Sequence, residues 1–327
     1  MTFDAGPGQV ITVGGAIDAH ALGVTDSHDH LFLRSPALAG QEFDDADRAI
    51  EEVLDAKSTG VQSIVEVTPI GLGRRPELMR RVSEATGVHV VAATGFHRDA
   101  HYPAGHWIYG ATEELLRDRM VTDIERGMHP LDWLDPSLPL DMARAGVIKM
   151  GASYQRVSKS ETRRLEAAVA AALQTGVAIL CHTEVGTAGD EIIDICARAG
   201  LPPSRLMLAH LDRNPDPELH SDLAARGIYL EYDTAGRIKY RPDSDLLRLI
   251  SEVVGAGFGD RVLLGLDLGR RDYFRAYDGG PGMRYLMGVF VPRLERRIGA
   301  AQVRRILVDN PAQLYGFQPM RPRTCPT

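Results

Sequence analysis

Two histidines separated by one residue end a short apolar run near the amino terminus, in the sequence His28-Asp29-His30. Side chains alternate across a β-strand, so the two imidazoles would point to one side of the strand and Asp29 to the other. Two imidazoles on one side of a strand end can hold one metal ion. The pair therefore indicates a metal site, although histidines at this spacing also occur by chance.

Three more residues with ligand chemistry follow later apolar runs, namely His182, His210 and Asp267. A single histidine at a strand end is more often structural than a ligand. Four histidines and an aspartate at the ends of four different strands are hard to reach by chance. Imidazole combined with carboxylate suits zinc best, with manganese and cobalt as alternatives. The set predicts a metal centre assembled from several strands.

Lys149 lies among apolar neighbours in the run Gly146-Val-Ile-Lys-Met-Gly. Burial disfavours the charged ammonium and lowers the lysine pKa, so we expect a neutral amine. Such an amine can form a Schiff base with a carbonyl substrate, or react with carbon dioxide to give a carbamate whose oxygens bridge two cations. The four histidines favour the carbamate. The alternatives are the Schiff base and a simple pairing with a carboxylate.

The elements that would position these side chains are eight short apolar runs separated by helix-like segments. Strand and helix alternating in this way produce a parallel sheet covered by helices, and eight units in this length fit a closed (β/α)₈ TIM barrel better than an open sheet. Active sites in such barrels lie at the carboxyl ends of the strands. The runs begin at Gly23, Val61, Val88, Gly146, Val177, Leu206, Gly227 and Val262.

Composition limits both the domain organisation and the partners. The 327 residues contain no Pro/Ser-rich linker, which predicts a single domain over 1–327 with a strand-like extension over 9–22 and a polar tail over 318–327. A net charge of −7 argues against a nucleic-acid partner. The three cysteines have no metal-finger spacing, and there is neither a signal-peptide pattern nor a long apolar run. We expect a cytoplasmic protein without a membrane partner.

The order of these segments resembles that of the phosphotriesterase-related family of the amidohydrolase superfamily. The resemblance extends from about residue 23 to residue 317. The matching segments are His28-Asp-His30, Val147-Ile-Lys149, Cys181-His182-Thr, Ala209-His210-Leu-Asp, Leu266-Asp267 and Asp309-Asn-Pro311. The resemblance implies a binuclear centre with two divalent metal ions.

The same resemblance implies how the ligands are shared. The first metal would be held by His28, His30 and Asp267, and the second by His182 and His210. A carboxylated Lys149, formed with carbon dioxide, and a hydroxide would bridge the two metals. Asp267 would take the proton of the attacking water and pass it to the leaving group.

Two basic loops give the indication about substrate. Arg237-Ile-Lys239-Tyr240-Arg241 follows strand seven, and Arg270-Arg271-Asp-Tyr273-Phe-Arg275 follows strand eight. Barrels often bind phosphate in these loops. The segments are similar to those of the branch that hydrolyses phosphorylated sugar lactones, which implies that Lys239, Arg270 and Tyr273 grip a phosphate. The alternative is that these cations pair with nearby carboxylates.

The sequence hypothesis is therefore a binuclear metal-dependent hydrolase that opens a phosphorylated furanose lactone, a small-molecule substrate. His97, in a loop rich in histidine and aromatic residues, either contacts this substrate or is structural. The alternatives on the same site are a phosphotriesterase and a neutral, N-acyl-homoserine-type lactonase. More remote ones are a Schiff-base aldolase using Lys149 and a non-catalytic binding protein. A homodimer is one assembly that the resemblance allows.

Overall fold

A parallel eight-stranded sheet forms the centre of the computed structural model, which describes residues 6–319. Each barrel strand pairs in parallel with the next one along the chain. The strands are β1 Gln9–Thr12, β2 Gly15–Asp18, β3 Thr25–Asp29, β4 Ser63–Glu66, β5 His89–Gly95, β6 Ala145–Ala152, β7 Ala178–Thr183, β8 Leu206–Ala209, β9 Tyr229–Tyr232 and β10 Val262–Leu264. The sheet runs from β3 to β10, and β1 and β2 form a separate antiparallel hairpin.

The ends of the sheet meet through backbone hydrogen bonds just beyond β10. The amides of Leu266 and Asp267 both donate to the carbonyl of His28, at 3.1 and 2.8 Å. This contact closes the barrel and places Asp267 beside β3. The predicted (β/α)₈ TIM barrel is confirmed, and its eight strands are those predicted from the apolar runs.

Helices follow every barrel strand and cover the outside of the sheet. They are α1 Ala46–Ser58, α2 Pro76–Thr86, α3 Glu113–Glu125, α4 Lys159–Thr175, α5 Gly189–Arg198, α6 Pro217–Ala225, α7 Asp243–Val253, α8 Val291–Ile298, α9 Ala300–Arg304 and α10 Asn310–Tyr315. The start of α4 shows why the sequence folds this way locally. Ser158 and Glu161 form a reciprocal capping box there, and Gly176 ends the helix with a φ of 80°.

The amino-terminal end of the barrel is closed by the β1–β2 hairpin. Val10 and Leu22 are fully buried and pack with the apolar side chains that fill the barrel interior. The amide of Val13 donates to the carbonyl of Val90 at 2.9 Å, which ties the hairpin to β5. Since this end is filled, the carboxyl ends of the strands are the open end of the barrel.

Part of the predicted carboxyl-terminal tail lies outside the described residues. Residues 318 and 319 have no regular secondary structure, and 320–327, with Cys325, are not described. The single-domain assignment over 1–327 stays a prediction. Among residues 6–319, no helix combines the length and apolar character that a membrane crossing requires.

Candidate metal centre

A cavity of about 230 Å³ lies at the carboxyl ends of the barrel strands. Its lining contains all ten site residues predicted from the sequence. These are His28, His30, His97, Lys149, His182, His210, Lys239, Asp267, Arg270 and Tyr273. The fold therefore brings the predicted metal ligands and the predicted phosphate-binding residues into one pocket.

Some of the predicted ligands lie within regular strands, and others follow a strand end in a left-handed backbone conformation. His28 and Lys149 lie within β3 and β6, and His182 lies within β7. His210 and Asp267 come just after β8 and β10 and have left-handed backbone, with φ of 64° and 46°. Non-glycine residues rarely adopt this conformation, and such strain is concentrated at functional sites. Both residues turn sharply away from the strand direction at the mouth of the barrel.

Six imidazole rings form a continuous series across the floor and one wall of the cavity. Neighbouring ring centroids are between 3.8 and 6.1 Å apart. In spatial order the rings are those of His30, His28, His210, His182, His97 and His101. His97 thus stands between His182 and a ring that the sequence did not single out.

Two of the rings are oriented by hydrogen bonds on their outer nitrogen. His30 Nδ1 lies 2.7 Å from Thr68 Oγ1, and His210 Nδ1 lies 2.8 Å from a carboxylate oxygen of Asp233. Acceptors in these positions keep Nδ1 protonated and leave Nε2 with its lone pair. This arrangement prepares both imidazoles to bind a cation through Nε2.

His182 is oriented in the opposite sense. Its Nε2 lies 2.8 Å from Glu184 Oε2, and Arg98 Nε contacts the same carboxylate oxygen at 3.0 Å. The lone pair is therefore left on Nδ1 of His182. In many metalloproteins a carboxylate binds one nitrogen of a histidine in this way while the other nitrogen binds the metal.

Burial keeps the imidazole ligands neutral. It lowers the pKa of His28 and His210 well below the usual range, and that of His182 to about 4. Burial also lowers the pKa of Lys149 to about 8, although the carboxylates of Asp267 and Asp233 act in the opposite direction. Burial shifts the pKa in the predicted direction, but an amine with a pKa of about 8 is still mostly protonated at pH 7, so the environment makes deprotonation easier without giving the neutral amine predicted from the sequence.

The two carboxylate oxygens of Asp267 face different partners. Oδ1 lies 3.4 Å from His30 Nε2 and 3.7 Å from His28 Nε2. Oδ2 accepts hydrogen bonds from Arg213 at 2.7 Å and Arg237 at 3.1 Å. Burial alone would raise the pKa of Asp267, but the Arg237 guanidinium and His210 hold it well below its usual range.

The donor set fits a divalent transition metal. His28, His30 and Asp267 bring one ligand atom each to within 4.8 Å of one another, and so do His28, His210 and Asp233. Within residues 6–319, the buried Nδ1 of His28 finds no hydrogen-bond partner. Neutral imidazoles with a carboxylate are the ligands that zinc and its neighbours prefer. His182, a predicted ligand of the second metal, belongs to neither group but adjoins His210, with ring centroids 4.5 Å apart.

The three predicted phosphate-binding residues form a different wall of the cavity, which we call the cationic wall: Lys239, Arg270 and Tyr273. Lys239 Nζ donates a hydrogen bond to the Tyr273 hydroxyl. Arg270 has a carboxylate neighbour, Asp272, at 3.6 Å, and its side chain is 37% exposed. Both cations are accessible to an anion entering the cavity.

Residues 8–315 match the sequence profile described as the Phosphotriesterase family. The chain belongs to the phosphotriesterase family. It is a hydrolase, as predicted from the sequence, and the resemblance proposed on the strand-end segments is confirmed.

Individual relatives in this family agree with that assignment. A phospho-furanose lactonase from Mycoplasmopsis agalactiae is 31% identical, covering 95% of this chain and 92% of that protein. The crystal structure of an amidohydrolase from Mycoplasma synoviae has a TM-score of 0.93 at 30% identity, covering 96% of this chain and 94% of the other. A lactonase structure from Listeria monocytogenes has a TM-score of 0.87 at 29% identity, with 95% and 99% covered.

Sequence reasoning gave no individual role to eight residues around this phosphotriesterase-family site, although two of the eight, Arg237 and Tyr240, belong to the basic loop that it singled out after strand seven. The eight are Thr68, Arg98, His101, Glu184, Arg213, Asp233, Arg237 and Tyr240. Asp233 ends the seventh predicted strand run and could have been found by the same strand-end rule as His210. Arg213 follows His210 by three residues, but its contact with Asp267 joins residues 54 apart in the chain, which spacing cannot reveal.

Proposed function

We propose that this chain is a metal-dependent lactonase acting on a phosphorylated furanose-type lactone. The observation that carries the proposal is one cavity lined both by the imidazole–carboxylate–lysine cluster and by the cationic wall. A lactone requires activated water, and a phosphate ester requires fixed cations. The related phospho-furanose lactonase supports the same combination.

We assign the metal ligands as the family resemblance implies them. His28, His30 and Asp267 would hold one divalent cation, and His182 and His210 the other, with carboxylated Lys149 between them. When bound, two such cations would lower the pKa of a shared water and polarise the carbonyl under attack. Zinc is the metal we expect, and carbon dioxide supplies the carboxyl group of Lys149.

The chain's own residues would then handle the proton and the phosphate. Asp267 would accept a proton as the water oxygen bonds to the lactone carbonyl carbon. The ring C–O bond then breaks, its electron pair stays on the ring oxygen, and Asp267 returns the proton to that oxygen. Lys239, Arg270 and Tyr273 would hold the phosphate and orient the ring over the cluster. No covalent enzyme intermediate is needed.

The proposal is tested with a matched pair of substrates, a five-membered sugar lactone with and without its phosphate. Assayed with zinc-loaded protein, we expect kcat/KM to favour the phosphorylated lactone by about 100-fold or more, since two charge-assisted contacts are at stake. A preference for the neutral lactone, or for a phosphotriester, would replace this function with the corresponding alternative on the same site.

One control separates hydrolysis from Schiff-base chemistry at Lys149. Removing the metal with a chelator should abolish hydrolysis, and borohydride with substrate should leave no covalent adduct on Lys149. Full activity without metal together with a trapped adduct would identify an aldolase instead.

A further inference from the structure

Asp267, assigned above as the proton acceptor, is bound by a guanidinium with no assigned role. Arg213 donates a hydrogen bond to Asp267 Oδ2 at 2.7 Å and lies 3.9 Å from Asp233 Oδ1. The side chains of these two aspartates are 14% and 0% exposed. Arg213 is thus a cation shared by two acidic side chains in a poorly solvated site.

The second carboxylate links this contact to the imidazole cluster. Asp233 accepts hydrogen bonds from the backbone amide of His210 at 2.9 Å and from His210 Nδ1 at 2.8 Å. Arg213 therefore joins the group that orients His210 to the carboxylate that is to move the proton. It follows β8 in a short helical turn, Leu211–Arg213, so its backbone moves with His210.

The other guanidinium at Asp267 has a different task. Arg237 contacts the carboxylate at 3.1 Å, but it also donates to the backbone carbonyls of Leu266 and Asp267. Arg237 holds the left-handed backbone of Asp267, whereas the contacts of Arg213 with Asp267 are to the carboxylate alone. The Arg213 guanidinium is itself placed over the Tyr240 ring, 5.2 Å from its centroid.

We propose that Arg213 is a positioning residue that fixes the Asp267 carboxylate for proton transfer to the leaving oxygen. The hydrogen bond from Arg213 to Oδ2 fixes the rotation of the carboxylate, and this keeps Oδ1 beside His28 and His30. Proton delivery depends on placement within a fraction of an ångström, so loosening this carboxylate slows the step without weakening substrate binding. The proposal rests on the proposed function for the role of Asp267.

The test uses Arg213→Gln and two neutral lactones that differ in their leaving oxygen. γ-Butyrolactone expels an alkoxide, which needs a proton, whereas dihydrocoumarin expels a phenolate, which needs one far less. We expect kcat for γ-butyrolactone to fall by about 30-fold with KM nearly unchanged, and kcat for dihydrocoumarin to fall by about threefold or less. Arg213→Lys, which keeps the charge, should regain most of the lost rate.

Metal binding provides a readout that does not depend on turnover. Cobalt affinity of the metal-free Arg213→Gln protein should equal or exceed that of the wild type, because a positive charge beside the Asp267 carboxylate has been removed. Arg226→Gln is the matched control. Arg226 is outside the cavity lining and pairs with Asp190 and Asp194 of α5. Its replacement should change neither kcat nor the cobalt affinity.

The outcomes separate this proposal from the proposed function. Equal losses on both lactones, no loss on either, or weaker cobalt binding in Arg213→Gln would overturn the positioning role. If the wild type hydrolyses the neutral pair but not the phosphorylated lactone, the substrate assignment is wrong. The kcat values for γ-butyrolactone and dihydrocoumarin would still test the role of Arg213. If the wild type hydrolyses only the phosphorylated lactone, the test is made on that alkoxide-releasing substrate: kcat of Arg213→Gln should fall by about 30-fold with KM nearly unchanged, and an unchanged kcat would overturn the positioning role.

Discussion

The imidazole cluster and the cationic wall share one cavity, but the protein builds them differently. His28 and Lys149 lie in barrel strands and are 0% and 1% exposed. Lys239 and Arg270 stand on loops after β9 and β10, and the Arg270 side chain is 37% exposed. The buried part has neutral imidazoles, a lysine whose pKa is lowered to about 8, and partnered carboxylates, whereas the exposed part consists of charges that water can reach.

This difference separates reaction chemistry from substrate choice. Ligands on barrel strands are fixed by the whole sheet, so their geometry tolerates little change. Loops can vary in sequence without disturbing the barrel, and barrel enzymes use them to select substrates. We therefore expect changes in the cluster to affect every substrate, and changes in the wall to affect only phosphorylated ones.

The largest effect should come from Lys149→Ala. Losing the amine removes the group that we propose to carry a bridging carbamate, so kcat/KM should fall on the order of 10³-fold, about 4 kcal/mol, on phosphorylated and neutral lactones alike. Metal content per chain, measured by elemental analysis, should fall as well. A short carboxylic acid such as propionate should restore part of both by supplying two oxygens in the vacated space.

Lys159→Ala provides the control for that experiment. Lys159 is an exposed lysine at the start of α4, so its loss should leave rate and metal content unchanged. A Lys149→Ala protein with normal metal content and a normal rate would contradict the carbamate assignment. A loss confined to the phosphorylated substrate would contradict the separation of the two regions.

A smaller and more selective effect is expected from Arg270→Met. Hydrogen bonds between charged groups contribute about 1.5–3 kcal/mol, so KM for the phosphorylated lactone should rise by roughly 10- to 100-fold. Steady-state kinetics on the neutral lactone should show little change, because this substrate has no phosphate to contact the cationic wall.

Arg271→Met is the matched control for the wall. Arg271 is adjacent in the chain but is exposed and absent from the cavity lining, so its replacement should leave kcat and KM unchanged for both lactones. If Arg270→Met instead slowed both substrates equally, Arg270 would belong to the catalytic part of the pocket and the phosphate assignment would be wrong.

The sequence predicted the buried part of the site better than the contacts around it. His28, His182 and His210 could be found because strands in a parallel barrel end at one rim, which makes local position a guide to spatial position. The fold was predictable for the same reason, since each apolar run and each helix repeats a local pattern.

The supporting contacts depend on distances that no local pattern contains. Arg213 reaches Asp267 because β8 and β10 lie on either side of β9 and end at the same rim, and Asp233 orients His210 because β8 and β9 are neighbours. The pairing of Glu184 with both His182 and Arg98 likewise requires the β5 and β7 loops to meet. Such pairs follow from the assembled barrel and from side-chain rotamers, which spacing alone does not specify.

The smallest effect is expected from added salt. It compares the two regions directly, because the protein itself is not changed. Raising the ionic strength from 0.1 to 1 M shortens the screening length from about 10 Å to about 3 Å, which weakens exposed charges far more than buried ones. We expect KM for the phosphorylated lactone to rise by about threefold, while kcat and the kinetics of the neutral lactone stay nearly constant. Steady-state assays in a non-coordinating salt measure both. A parallel loss on the two substrates would mean that salt acts on the imidazole cluster, and that this cluster is less shielded from solvent than its burial indicates.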